Sequence, residues 1–339
     1  MSVCRLGSTQ STCQLIFQAA LQQSGAAVPP KLAQVMHATL VTGINAHASA
    51  NKVLAQLAKA LGERGIKPVL LKGQGIASYY ATPYLRQCGD IDLYVGEAAY
   101  EEACNVLEGI IGAPGVHGSK HCQFDYGHGL SIEIHQQTET LESRKLDAYY
   151  QQISNAGTSE GLVPVHFGDI DVLTPEDTFN AFYIFHHFWH HVMGMGIGIR
   201  QLCDWTVFLH THVGKLDEAR LGAWLDKFRL KEVWRVLGCL AVDTLGLEPE
   251  AVPFLEPADE KLHKKAAAFL EFVLEEGDNR DYKFGRDKAS AAHKTSTFLY
   301  IVRKFAKLLP IFPGQAFSYL SHGISAGASK LLLKLPEKA

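Results

Sequence analysis

Asp90 and Asp92, with only Ile91 between them, are the pair in this chain whose types and spacing best suit joint chemistry. In an extended strand alternate side chains share a face, so the two carboxylates project together while Ile91, Leu93 and Val95 face the other way. Carboxylates held that close repel unless positive charge sits between them. An oxygen-loving divalent cation supplies it, and Mg²⁺ takes one or two carboxylates together with substrate phosphates. Upstream, Val69, Leu70 and Leu71 predict a short buried strand ending in Lys72-Gly73-Gln74-Gly75, and the IASYYA run after it predicts a helix. A glycine-bearing turn between strand and helix lets backbone N–H groups approach an anion, and the helix N-terminus adds partial positive charge. Lys72 stands at that anion as a mobile point charge. A phosphate cradle beside a metal-holding pair points to nucleotidyl transfer.

A third carboxylate is available. The stretch Leu130-Ser131-Ile132-Glu133-Ile134-His135 alternates, with Glu133 and His135 opposite the apolar face. Glu133 either joins Asp90 and Asp92 across a sheet or is an exposed acid on an edge strand. The string Gly89-Asp90-Ile91-Asp92 recurs as Gly168-Asp169-Ile170-Asp171, without a lysine-glycine turn before it. Thr174, Pro175 and Asp177 read as a helix start just after the second copy, which predicts a hairpin turn there. Further on, His186/His190 and His187/His191 are i, i+4 pairs, the spacing at which two imidazoles can share a metal. A zinc-dependent hydrolase built on the His186–His191 cluster is therefore an alternative, with His210, His212 or Asp204 as further ligand. The other reading of that helix is packing, or a cleft wall whose imidazoles protonate near neutral pH.

Lys72-Gly73, Arg86 and Gly89-Asp90-Ile91-Asp92-Leu93 together resemble the signature of the uncharacterised bacterial nucleotidyltransferases. That family is a branch of the polymerase-beta-like superfamily, which also holds aminoglycoside and minimal nucleotidyltransferases. Two departures from the superfamily pattern stand out. The turn reads Lys-Gly-Gln-Gly where the superfamily has Gly-Gly or Gly-Ser, and the interval from Gly73 to Asp90 is longer than in minimal members. The resemblance implies an α/β nucleotidyltransferase fold, a mixed sheet with helices, followed by a mostly helical C-terminal domain. It implies transfer of a nucleoside monophosphate from an NTP such as ATP to a hydroxyl acceptor, with release of pyrophosphate. By the same resemblance Asp90, Asp92 and Glu133 hold Mg²⁺ or Mn²⁺, and Glu133 completes that site or takes the acceptor's proton. Lys72, Gly73, Gln74 and Gly75 would grip the triphosphate, and Arg86, on the approach to the strand, would contact phosphate or pair with a carboxylate. The histidine helix, with His187 and His191, and an Arg200…Asp204 pair on the next helix would face nucleotide or acceptor. A non-catalytic nucleotide-binding module is the weaker alternative, since all three carboxylates are present.

These residues need elements to hold them. Residues 1–62 read as helices broken at Pro29-Pro30, with Leu54, Leu57, Ala58 and Leu61 at helical spacing and Gly65 at the stop. Residues 63–174 read as the catalytic domain, with a helix over residues 97–111 and a strand pair around a Gly- and His-rich loop before Glu133. Residues 175–339 read as a helical domain closing the cleft, interrupted by a glycine turn in MGMGIGIRQ and a polar loop over residues 277–293.

Bulk composition narrows the classes. An apolar fraction of 47% supplies a core, and a net charge of −3 argues against a chain held on nucleic acid by global charge. Seven scattered cysteines without a C-x-x-C predict reduced thiols in a cytoplasm. The first thirty residues lack a basic start and a sustained apolar run, so no signal peptide is expected, and no window suits a membrane span. Arg303, Lys304, Lys307, Lys330, Lys334 and Lys338 face one acid, Glu337, in the last forty residues. Interleaved with FLYIV, LLPIF and LLLKL, they predict either a packed terminal helix or a contact with a membrane surface or partner.

Overall fold

The computed structural model describes residues 10–22, 28–193, 198–257, 259–276 and 302–317. The glycine turn of MGMGIGIRQ, the polar loop over 277–293 and the basic residues beyond 317 lie outside the described residues. Helix α1 (Cys13–Gln22) precedes a long α2 (Pro30–Gly62), which opens on Pro30 where a missing N–H costs nothing. Then come β1 (Val69–Leu70), a one-turn α3 (Gln74–Ala77), a 3₁₀ turn (Pro83–Leu85) and β2 (Asp90–Tyr94). Helix α4 (Gly96–Ile111) leads to β3 (Val116–His117), β4 (His121–Gly127) and β5 (Leu130–His135). Helix α5 (Arg144–Gly157) and the hairpin β6 (Val163–Phe167) and β7 (Ile170–Thr174) complete the strands. From there every described element is helical: α6 (Asp177–Met193), α7 (Ile199–Thr211), α8 (Glu218–Lys227), α9 (Lys231–Leu245) and α10 (Glu260–Glu276), with one 3₁₀ turn at Pro249–Ala251.

The seven strands of the described residues form one mixed sheet in the order β3-β4-β5-β2-β1-β7-β6. The strand carrying Asp90 and Asp92 is central, antiparallel to β1 and parallel to β5. The period-two pattern gives its faces opposite characters. Ile91, Leu93, Ile132, Ile134, Cys122 and Phe124 are buried against Leu54, Leu57 and Leu61 of α2 and Ala103, Cys104 and Leu107 of α4. Burying each such leucine or isoleucine stabilises the fold by roughly 1.5–3 kcal/mol before ordering costs. The opposite face carries the carboxylates and meets α6.

That helix is apolar almost all round. Phe179, Phe182, Phe185, Phe188 and Trp189 join Trp205 of α7 and Trp234 of α9 in a second core. Trp205 and Trp234 meet edge-on with ring centroids 4.7 Å apart. Leu308, Ile311 and Phe312 also pack there, and Lys307 pairs with Glu275, so the described start of the basic terminal segment belongs to this core. Such density fixes the rotation of α6, and with it which histidines meet the sheet.

Candidate active site

The two strand faces place Asp92 and Glu133 directly opposite each other. In the parallel register of β2 with β5, Asp90 pairs with Ser131, Asp92 with Glu133 and Tyr94 with His135. Asp90, Asp92, Glu133 and His135 therefore share one face, which lines a cleft of about 220 Å³ beneath α6 and α7. Asp92 is fully buried and Asp90 half-buried. Asp90's carboxyl is pushed up, first by the Asp92 charge beside it and then by burial. Burial also works to raise Asp92, but the Lys72 ammonium and a hydrogen bond from His135 prevail and hold it well below the usual carboxylate range.

Lys72 reaches this pair because of the residue after it. Gly73 has φ +59°, and a Cβ there would stand 3.0 Å from the Asp90 carbonyl oxygen. Only glycine passes so close to β2 in that conformation. The turn sets the Lys72 Nζ 3.1 Å from Asp92 Oδ1 and 3.3 Å from His187 Nε2. Burial would lower the Lys72 pKa, yet Asp92, Asp90 and Glu133 raise it above its ordinary value, so the ammonium stays charged.

The rest of the lysine-glycine turn behaves differently from expectation. The helix after it is a single turn, not one long enough to carry much of a dipole. Gln74 is turned to the back of the sheet, donating to Asn51 Oδ1 of α2 at 2.6 Å, and Gly75 packs against Thr174 and Leu70. Neither lines the cleft. Arg86 does, but its guanidinium is committed: Nε and Nη2 donate to the two carboxylate oxygens of Asp204 at 2.7 and 2.8 Å. Tyr80 donates to the same carboxylate at 2.8 Å. The expected Arg200…Asp204 pair is thus replaced by Arg86…Asp204, which ties the loop before β2 to α7. Arg200 instead donates to the Gln87 carbonyl at 2.6 Å, and its Nε is buried without a protein acceptor at the cleft wall.

The histidine helix divides by face. His186 turns into the aromatic core between Tyr150 and Phe182. His187 and His191 reach the cleft, with their Nε2 atoms 3.0 Å apart. Since Lys72 can only donate, His187 Nε2 accepts from it, leaving Nδ1–H to face Glu139 Oε2 at 3.5 Å. Burial, helped by the Lys72 charge, pushes His187 down to about 4, so it is neutral near pH 7. This corrects the expectation that it protonates near neutrality. Among the described residues, no cluster of three potential metal ligands includes a histidine of this helix.

Several cleft residues carry no signal in the strand-and-turn motif. Lys120 donates to both oxygens of buried Glu139 at 2.8 and 3.0 Å. Burial opposes it, but the His187 hydrogen bond and Lys120 keep Glu139 well below its ordinary range. His135 Nε2 lies 3.0 Å from Asp92 Oδ1 and 3.2 Å from Glu133 Oε2, and His121 Nε2 lies 3.8 Å from the same glutamate. His121 pairs across the strands with His135, in a register set by the irregularity between Asp125 and Gly127. The second Gly-Asp-Ile-Asp forms the β6–β7 hairpin, where Gly168 at φ +64° makes the turn and Phe167 pairs with Ile170.

The residues present fit a divalent cation. Asp92 Oδ2 is buried without a hydrogen-bond partner, Asp90 and Glu133 line the cleft beside it, and Lys72 is committed to Asp92. No curated protein and no solved structure matches the chain. A family model described as uncharacterised nucleotidyltransferase matches residues 3–246, and the chain belongs to that family.

Proposed function

We propose that the chain transfers a nucleoside monophosphate from an NTP to a hydroxyl acceptor, a small molecule, sugar or protein, with release of pyrophosphate. The observation that carries this reading is the Asp92–Glu133 register pair beside Asp90, all on one face with Lys72 over them. Asp90, Asp92 and Glu133 would hold Mg²⁺ or Mn²⁺. When bound, that ion neutralises charge developing on the transferred phosphoryl and lowers the acceptor's pKa. Lys72, already oriented by His187, contributes a fixed positive charge to the triphosphate. Arg200, with Nε unpartnered at the cleft wall, offers a second. Glu133 would complete that metal site or take the acceptor proton, and α6 and α7 cover the face to limit water.

The six described cysteines are all free thiols, and no helix among the described residues is long and apolar enough to cross a membrane. The free thiols suit a reducing compartment such as the cytoplasm. The test is incubation of the purified chain with each labelled NTP, Mg²⁺ or Mn²⁺ and fractionated lysate. The expected result is label on an acceptor together with pyrophosphate. Label in free phosphate alone would replace transfer with hydrolysis.

A further inference from the structure

Two imidazoles stand where a purely carboxylate metal site would need none. His121 Nε2, Glu133 and His135 Nε2 offer ligand atoms all within 4.8 Å of one another. Asp92 adds a fourth donor, its Oδ1 3.0 Å from His135 Nε2. If His135 were simply a proton donor, its single Nε2–H would be aimed at two carboxylates at once, at 3.0 and 3.2 Å. One hydrogen cannot serve both in good geometry. A cation can, because His121, Glu133 and His135 bring three ligand atoms within 4.8 Å of one another, with Asp92 beside His135. Ligand bonds of about 2.0–2.2 Å put neighbouring donors roughly 3 Å apart, close to what the Asp92–His135–Glu133 contacts already show. The cross-strand pairing of His121 with His135 holds both rings on the carboxylate face, with centroids 5.0 Å apart. Asp92 Oδ2, buried and unpartnered, leaves one more donor available to an ion.

We propose that His121 and His135 are metal ligands beside Glu133 and Asp92, so that this cleft prefers a nitrogen-accepting first-row divalent ion, such as Mn²⁺ or Co²⁺, over Mg²⁺. The proposal rests on the nucleotidyl-transfer reading for its purpose but not for its chemistry. Mg²⁺ is hard, favours oxygen and keeps its waters, whereas affinity for imidazole-bearing sites climbs along the first-row series. The histidines thereby choose the ion, while the carboxylates supply the charge that any such ion needs.

The experiment uses the full chain, stripped of metal, titrated with Mn²⁺ and followed by the loss of its free-ion resonance, with Mg²⁺ as competitor. The expected result is one Mn²⁺ bound at least about tenfold more tightly than Mg²⁺. Pulsed resonance on the wild-type complex should detect directly bonded imidazole nitrogen, a readout that needs no variant. H121Q and H135Q should each weaken Mn²⁺ by about tenfold or more and bring the two ions toward equal affinity. Equal affinity in the wild type, or no nitrogen coupling, overturns the proposal and makes His135 a cationic strut between two acids. Labelled-NTP transfer is measured in parallel. Nitrogen-coupled Mn²⁺ without any transfer keeps this site and removes the transfer reading. Transfer with Mg²⁺ and no Mn²⁺ preference does the reverse.

Discussion

The chain writes Gly-Asp-Ile-Asp twice, and the two copies meet opposite fates. In Gly89–Asp92 the second aspartate is fully buried in the central strand, facing a lysine, two histidines and a glutamate. In Gly168–Asp171 both aspartates are exposed on a hairpin at the sheet's edge, and Asp171 pairs with the exposed His166. Four identical residues thus carry no function of their own. What separates them is the partner strand. β2 lies between β1 and β5, so its polar face is walled by other polar residues and capped by α6, whereas β7 hands its polar face to water. A motif acquires chemistry when the fold forbids its charges to hydrate.

The sharpest break of the comparison is Asp90→Asn. Asp90 already suffers from the Asp92 charge, so neutralising it relieves repulsion and should leave the melting temperature unchanged or slightly higher. Nucleotidyl transfer should nonetheless fall by about a thousandfold or more, the scale expected when a major electrostatic stabiliser is lost. Purified variant protein, checked by circular dichroism, and a labelled-NTP assay decide this. Activity retained within tenfold would remove Asp90 from the chemistry.

Next in size is the weld that keeps the first copy walled in. Asp204→Ala strands the buried Arg86 guanidinium, and removing one partner of a buried pair costs about 3–5 kcal/mol. Denaturant unfolding should show that loss, whereas cutting the exposed His166–Asp171 pair should cost at most about 1 kcal/mol. Equal costs for the two pairs would mean that Arg86–Asp204 is more hydrated than its geometry shows.

Acidification probes the same wall. His186 and His187 sit at about 4 in the folded chain, each chiefly through burial. Between about pH 4 and 6.5 the unfolded chain binds more protons at these residues, so their contribution to stability falls as pH drops through that window, against the opposite contributions of His135 and Asp90, whose folded values are raised. Asp92 and Glu139, held below the usual carboxylate range, extend the loss to lower pH. The melting temperature should decline from about pH 7 to 5, and His187→Gln should flatten part of the slope. A melting temperature independent of pH in the wild type contradicts the burial of both rings.

Much of this arrangement was legible because it depends on short-range rules. Period-two alternation put Asp90 with Asp92 and Glu133 with His135, and the glycine after Lys72 announced a turn. The shared face of the two strands was not in the pattern; it comes from a parallel register between segments joined through α4 and the β3–β4 strands. The direction of Gln74 was illegible because a one-turn helix gives no periodicity, and Asn51 lies on a distant helix. Arg86 and Asp204 are 118 positions apart, so nothing local marks them as partners. Lys120 and Glu139 flank the β4–β5 hairpin, whose irregularity between Asp125 and Gly127 shifts the count that would align them.

The smallest expected effect is the one that tests the comparison itself. Asp169→Asn and Asp171→Asn alter the second copy as Asp90→Asn alters the first. Asp169 sits in a two-residue turn whose conformation is set by Gly168, and both aspartates are exposed. Surface substitutions away from special backbone or buried partners usually stay within about 0.5 kcal/mol. Neither residue lies in the cleft lining, which is drawn from β2, β4, β5, α3, α6, α7 and the loops beside them. Both variants should therefore melt with the wild type and keep transfer within about twofold, which is the rate equivalent of that energy. A loss rivalling Asp90→Asn, in protein that still folds, would place the chemistry at the hairpin, and the wall of charges around β2 would then need a purpose other than transfer.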